Sequence, residues 1–395
     1  MNRALLNSAL AGMGTTIFAE MSALAVETGS VNLGQGFPDT DGPAEVAQAA
    51  VDAILAGRGN QYPPGPGIPE LRQAVCAHQK RFYGLDLDPD TEVLVTAGAT
   101  EAIAAALLAL LEPGDEVIAL EPYYDSYAAC IAMAGAKRVP VTLRPPQFRP
   151  DLDALRDAVT DRTRLILLNS PHNPTGMVAT REELAAIAGL AVERDLLVIT
   201  DEVYEHIVFA GEHIPIATLP GMRERTVTIS SAGKTFSFTG WKVGWVTGSP
   251  ELVTAVRTAK QFLTYVSSGP FQYAIAVGLA LPDSFYAGLG AGLQQRRDVL
   301  AAGLLDAGFE VFTPQGTYFI TTDIARLGES DGLAFCRSLP HRCGVVAVPN
   351  VVFYDDRQAG RSQVRFAFCK RAEVLADAAA RLRGLRASGL PAAAG

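Results

Sequence analysis

From Glu92 onward, short runs rich in aliphatic and β-branched residues alternate with longer helical ones. Val93 to Thr96 leads into a helical run ending at Leu111. Glu116 to Leu120 precedes a helix through Ala134, and Arg138 to Thr142 and Leu165 to Asn169 follow. A helix over Glu182 to Glu193 and strands over Leu196 to Thr200 and Thr226 to Ser230 continue the alternation. Strands apolar on both faces and separated by helices predict an α/β fold, a mostly parallel sheet covered by helices on both sides.

The flanks read differently. Val31 to Asp39 (V-N-L-G-Q-G-F-P-D) is rich in Gly and Pro yet apolar, which predicts an ordered extended segment lining a site. A helix is expected over Pro43 to Leu55. The prolines and glycines of Gly59 to Pro69 fix a loop that holds Tyr62 in a defined place. Past Pro282 the texture changes to a helix over Leu293 to Ala307, short strands at Glu310 to Phe312, Tyr318 to Thr322, Gly344 to Val348 and Gln363 to Phe368, and a helix over Arg371 to Leu385. That order predicts a smaller α+β domain, with the final A-A-A-G as a frayed tail.

Composition narrows the function. The chain of 395 residues is 49% hydrophobic and 19% charged, a soluble globular balance that excludes disorder and coiled coil. A net charge of −9 without charge blocks argues against a nucleic-acid partner. Five widely spaced cysteines fit a reducing compartment and give no sign of a metal site. The longest apolar run, Ala102 to Leu111, is well short of the ~18 to 20 residues a membrane span needs. The N-terminus lacks a convincing signal-peptide pattern, so a cytoplasmic location is expected.

Two segments mimic a nucleotide triphosphatase: Ser231-Ala232-Gly233-Lys234-Thr235, and the acidic strand end Thr200-Asp201-Glu202. The phosphate-binding loop lacks its first glycine, since position 228 is Thr, and the two segments come in the wrong order. The strand ends support another reading. In a parallel sheet the loops at the carboxyl ends converge on one crevice. Gly98-Ala99-Thr100 offers backbone N–H groups at a helix start for a phosphate. Tyr123, Tyr124 or Tyr127 could stack on a ring, and later ends supply Asn173, Asp201 with Tyr204, and Ser231 with Lys234 and Lys242. Phosphate cradle, aromatic, amide, carboxylate, phenol and amine together describe a pocket for pyridoxal phosphate. Asp201 would keep its ring nitrogen protonated, and Lys234 would form the Schiff base and shuttle a proton.

Six segments carry a resemblance to the fold type I, class I pyridoxal phosphate aminotransferases over nearly the whole chain. They are Asn32 to Asp39, Asn60 to Gly67, N-S-P-H-N-P-T-G (Asn169 to Gly176), I-T-D-E-V-Y-E-H (Ile199 to His206), Ser230 to Trp245 and V-R-F-A-F-C-K (Val364 to Lys370). The nearest likeness is to the kynurenine, glutamine–phenylpyruvate and actinobacterial N-succinyldiaminopimelate enzymes. The resemblance implies a seven-stranded sheet and three regions: an arm over 1–40 packing with the small domain, a large cofactor domain over 41–285 and a small domain over 286–395. It implies Lys234 as the covalent anchor, Asp201 at the pyridine nitrogen, Asn173 and Tyr204 on the ring hydroxyl, and Tyr124 stacked on the ring. It implies a phosphate site of Gly98, Ala99, Thr100, Ser231 and Lys242, with Tyr62 arriving from the second subunit of a homodimer. Arg365 would clamp the substrate α-carboxylate. Gly36 and Phe18 would close the substrate side, with Asn173 and Tyr124 contributing.

The expected reaction is ping-pong amino transfer from an amino acid to a 2-oxo acid, Lys234 moving the Cα proton. Asn350-Val351-Val352 and the short stretch Gln358 to Gln363 depart from the family where it contacts the substrate side chain, which leaves the substrate open and fits recruitment to specialised biosynthesis. The alternatives are β-elimination from a cysteine S-conjugate and a non-catalytic regulator, the latter without support from any appended DNA-binding segment. His172, His206, Trp241 and Trp245 read as structural residues.

Overall fold

Because the predicted strands are apolar on both faces, their stable arrangement is a sheet buried between helices. The computed structural model describes residues 5–11, 13, 16–267 and 269–387. Its main sheet has seven strands in the order Val93–Thr96, Gly244–Thr247, Thr226–Ser231, Leu197–Asp201, Thr163–Asn169, Glu116–Glu121 and Lys137–Thr142. Gly244–Thr247 runs antiparallel to both neighbours, and every other adjacent pair is parallel. This is the α/β architecture expected, a mostly parallel seven-stranded sheet covered by helices.

Side chains alternate between the two faces of each strand. Leu94 joins Ile103, Leu107, Leu167, Ile199 and Val256 in a core beneath the helices Gly98–Leu110 and Pro250–Lys260. Val93 and Val95 point the other way, into a cluster with Leu71, Val75, Trp245 and Ile275. Farther along that face, Ile118, Ile166 and Val198 pack on Leu184 and Ile187 of helix Arg181–Glu193. That helix opens with a reciprocal capping box between Thr180 and Glu183.

A second sheet of four strands has the order Val348–Pro349, Gln363–Ala367, Phe319–Asp323 and Glu310–Phe312, all antiparallel. Helices Asp283–Ala307, Gly332–Cys343 and Ala372–Ala387 share its core. The single strand expected over Gly344 to Val348 is broken at Ala347. Val345–Val346 pairs in parallel with Val31–Asn32 of the arm, and Val348–Pro349 joins the four-stranded sheet. The extended arm expected at Val31 to Asp39 is thereby anchored. The expected helix from Leu293 begins earlier, at Asp283, directly after Pro282.

Several elements are absent from the pattern reading: the helices Ile17–Thr28, Leu152–Asp157, Pro250–Lys260 and Gly269–Leu279, and two more whose signal is masked. Gly244–Thr247 lies in a run of glycines and tryptophans with no alternation to mark it. Helix Pro69–Tyr83 begins with a proline at its first turn, so its start is masked by the proline-rich loop before it. Among the described residues no single helix is long and apolar enough to cross a membrane. The tail expected to fray lies outside the described residues.

The missed strand positions the site. A Cβ on Gly244 would lie 2.7 to 2.9 Å from backbone atoms of Gly98 and Ala99, so only glycine lets this strand pass under the start of helix Gly98–Leu110. The Gly244→Ala variant is expected to lose about 1–3 kcal/mol of stability through overpacking against rigid backbone. It should also bind pyridoxal phosphate more weakly, both effects read by thermal unfolding with and without cofactor.

Candidate active site

Five strand ends and the arm enclose a cavity of about 300 Å³. Of the residues singled out from the sequence, Phe18, Gly36, Gly98, Ala99, Thr100, Tyr124, Asn173, Asp201, Tyr204, Ser231, Lys234, Lys242 and Arg365 all line it. Tyr62 does not. Its ring is 80% exposed and meets the edge of Tyr265 at 5.4 Å.

At one end the cavity offers an anion cradle. Gly98 adopts φ +74°, a left-handed geometry suited to glycine, and helix Gly98–Leu110 starts without a side-chain cap. The N–H groups of that first turn add to the positive end of the helix dipole. The position of a Cβ on Gly98 lies 3.3 Å from Lys242 Nζ, and Lys242 itself holds φ +53° to bring the amine there. Ser231 ends its strand beside them in extended geometry.

Opposite the cradle, Asp201 ends strand Leu197–Asp201 almost wholly buried. Burial pushes its carboxyl above the usual carboxylate range, opposed by the Tyr127 hydroxyl, which donates to Oδ2 at 2.6 Å, and by the Val203 N–H at 3.3 Å. Asn169 sits beside Asp201 in register and donates to its carbonyl at 2.7 Å, while its own Oδ1 accepts the Asn173 N–H at 2.8 Å. One amide thus fixes the backbone that carries both Asp201 and Asn173.

Lys234 extends from the short helix Ala232–Thr235 with Nζ 3.5 Å from the Gly36 carbonyl, 6.0 Å from the centre of Tyr204 and 5.8 Å from that of Tyr318. Burial lowers its pKa, which favours the neutral amine that nucleophilic chemistry requires. Tyr318 donates to the same Gly36 carbonyl at 2.5 Å. A Cβ on Gly36 would lie 2.4 Å from the Phe319 ring, so this close approach also demands glycine. Tyr124, its phenol pushed up to about 12 by burial, stands edge-on to Tyr127 at 5.7 Å.

Arg365 reaches the cavity from strand Gln363–Ala367, 1% exposed. Its Nη1 donates to Asn173 Oδ1 at 3.0 Å and its Nη2 to the Gly34 carbonyl at 3.1 Å. Its guanidinium lies 4.0 Å from the ring centre of Phe319, 5.2 Å from that of Phe18 and 5.1 Å from that of Phe353. Burial pulls its pKa down to about 10, and Nε is buried without a partner. An unpaired donor on a buried cation is costly and asks for an anionic ligand.

Sequence reading missed Asn169 and Tyr318 as positioning groups, and it left Tyr127 among three stacking candidates when its hydroxyl serves Asp201. It also missed the aromatic enclosure of Arg365. Asn169 opens a quoted motif and could have been found there; the others become visible only once strands and rings are placed. Trp245 is buried in the core, and Trp241 is stacked between Phe238 and Phe271. Asn350 is fully buried and bonds Thr321 and Gln363.

The set fits pyridoxal phosphate: an uncapped helix start with an amine for the phosphate, a buried carboxylate for the ring nitrogen and a lysine between them. Residues 28–382 match the aminotransferase class I and II family, and the chain belongs to it, a pyridoxal phosphate-dependent aminotransferase. A probable N-succinyldiaminopimelate aminotransferase, DapC, of Mycobacterium tuberculosis is 55% identical over 95% of this chain and 97% of its own. The methionine aminotransferase of Escherichia coli is 40% identical over 96% and 98%. The solved structure of the M. tuberculosis N-succinyldiaminopimelate aminotransferase superposes with a TM-score of 0.94 over 96% of this chain and 100% of that one.

His172, in the loop that carries Asn173, is 1% exposed with Nδ1 2.8 Å from Thr175 Oγ1. Burial pushes its pKa from 6.5 down to about 3. The unfolded chain therefore takes up a proton that the folded chain refuses, so stability is full above pH 6.5 and falls as the pH drops toward about 3. In His172→Gln this part of the acid dependence should vanish, seen as a shallower fall of the urea midpoint over that window.

Proposed function

We propose that the enzyme transfers the α-amino group of an N-succinyldiaminopimelate-type amino acid to and from a 2-oxo acid, by a ping-pong mechanism, as a homodimer. The observation that carries the reaction is the convergence of Lys234, Asp201 and the partnerless edge of Arg365 on one cavity. The 55% identity to the relative of that name supports the substrate class.

When bound, pyridoxal phosphate supplies an aldehyde that condenses with amines and a protonated ring that accepts electron density. The helix start at Gly98, Ala99 and Thr100, with Ser231 and Lys242, would hold its phosphate. Asp201 would keep the proton on its ring nitrogen, and Tyr127 and Asn169 hold Asp201 still. Asn173 and Tyr204 would bond the ring hydroxyl, and Tyr124 would cover one ring face. Arg365 offers its Nε edge to the substrate α-carboxylate, which orients the Cα–H bond toward Lys234. Lys234 Nζ would then take the Cα proton and return it on the far side of the substrate nitrogen, two atoms away, as general base and acid in turn. The Gly36 carbonyl is the acceptor available to that amine between the two transfers.

Support for the dimer lies in Tyr62 and Phe262, 80% and 83% exposed on loops whose aromatics meet through Tyr265. Tyr62 would complete the partner's phosphate site. Free thiols at all five cysteines agree with a reducing compartment, the cytoplasm.

Titration of the purified enzyme with N-succinyl-LL-diaminopimelate, methionine, kynurenine and an S-alkyl cysteine, without 2-oxo acid, tests the reading by absorption. Stoichiometric conversion of the cofactor to its amine form by the succinylated donor is expected. Preference for methionine or kynurenine would overturn the substrate class, and sustained pyruvate release from the cysteine conjugate would make the enzyme a lyase. Lys234→Ala should lower turnover by at least about 10⁴-fold while cofactor still binds. Arg365→Gln should lower kcat/KM for α-amino acids about a hundredfold, the loss of a charge-assisted pair, with little change in cofactor affinity.

A further inference from the structure

Beneath the active site, on the side away from the cavity, helix Pro69–Tyr83 packs against the segment that follows Asp201. His78 Nε2 and His206 Nε2 stand 2.7 Å apart, and together with a Glu205 carboxylate oxygen they form a group whose ligating atoms all lie within 4.8 Å of one another. His78 is 2% and Glu205 5% exposed. Phe82 and Tyr286 enclose both imidazoles.

Glu205 is a buried carboxylate whose oxygens accept from neutral donors, the Tyr83 hydroxyl at 2.7 Å and the Ser230 hydroxyl at 2.5 Å. The nearby cations are engaged elsewhere: Arg81 with Asp283, and His213 with Glu202 at 2.8 Å. Besides the two hydroxyls, only the neighbouring imidazoles of His78, His206 and His213 favour this buried charge, and a cation shared with the first two would balance it without either ring taking a proton.

A second observation points to a ligand. Gln79 Oε1 is buried without a partner, while Gln79 Nε2 lies 3.5 Å from His78 Nδ1. Turning the amide over presents Oε1 to an Nδ1–H of His78 across that 3.5 Å contact and frees the His78 Nε2 lone pair for a ligand, with the amide N–H₂ taking the place of the orphaned oxygen. That is the outer contact which orients metal-bound histidines.

We propose that His78, His206 and Glu205 bind one divalent transition-metal ion, zinc by the chemistry of two imidazoles and a carboxylate, clamping helix Pro69–Tyr83 to the segment that carries Asp201 and Tyr204. Zinc at about 2.1 Å from each nitrogen in tetrahedral geometry sets the two nitrogens about 3.4 Å apart, so the imidazoles part by less than an ångström. Burial keeps both rings neutral, His206 at about 4, as ligation requires. The fourth position is left for water. The ligands come from segments far apart in sequence and include no cysteine, which is why the cysteine pattern gave no sign of a site.

The holoenzyme, prepared without a histidine tag and dialysed against dipicolinate, is titrated with Zn²⁺ and separately with Co²⁺. The expected result is uptake of about one ion per chain, a rise in the unfolding temperature with Zn²⁺, and the visible absorption of tetrahedral cobalt. Gln79→Leu, which touches no ligand atom, should weaken uptake about ten- to a hundredfold, and His206→Gln should abolish it. Absence of both cobalt absorption and a zinc-dependent thermal shift in the wild-type enzyme would overturn the site and leave an imidazole–imidazole hydrogen bond. Uptake unchanged in His206→Gln would overturn it equally, by placing the ion elsewhere.

Discussion

A carboxylate almost wholly buried at the centre of a sheet's carboxyl edge is costly to keep charged, and the fold around Asp201 is arranged to meet that demand. Its side chain is held by Tyr127 from the helix after strand Glu116–Glu121, its carbonyl by Asn169 from the adjacent strand. Burial still pushes the carboxyl toward protonation. A protonated pyridine nitrogen is the partner that would reverse this, so the cofactor the family requires also relieves the strain at the middle of its own site.

From Asn169 the constraint spreads to the second sheet. The same amide fixes Asn173, and Asn173 accepts from Arg365, which arrives on a strand of the four-stranded sheet and is bonded in turn to the Gly34 carbonyl of the arm. Arm, small sheet and large sheet meet on one guanidinium. The aromatic rings around Arg365 keep it desolvated, which strengthens its hold on a carboxylate and makes an absent one felt.

Much of this was legible beforehand because it follows from local chemistry. Apolar runs such as Leu165 to Asn169 and Leu196 to Thr200 are strands wherever they are buried, and a parallel sheet brings its carboxyl ends together. Residues at those ends, among them Thr100, Asn173, Asp201, Ser231 and Lys234, line one cavity for that reason. Strand Gly244–Thr247 was not legible, because its fit depends on Gly244 passing beneath Gly98 and not on any alternation of its own. The split of Val345–Val346 from Val348–Pro349 was hidden for the same reason: one continuous apolar run serves two sheets.

By itself, then, the sequence determined the strand-and-helix alternation, the chemistry available at each strand end and the resemblance that ties them to one cofactor, since these depend on residue type and order. The tertiary structure alone decided that Tyr127 serves Asp201, that Tyr318 and Lys234 share the Gly36 carbonyl, that three aromatic rings enclose Arg365, and that His78 meets His206. Each joins residues many positions apart, and such contacts arise only from how helices and sheets pack.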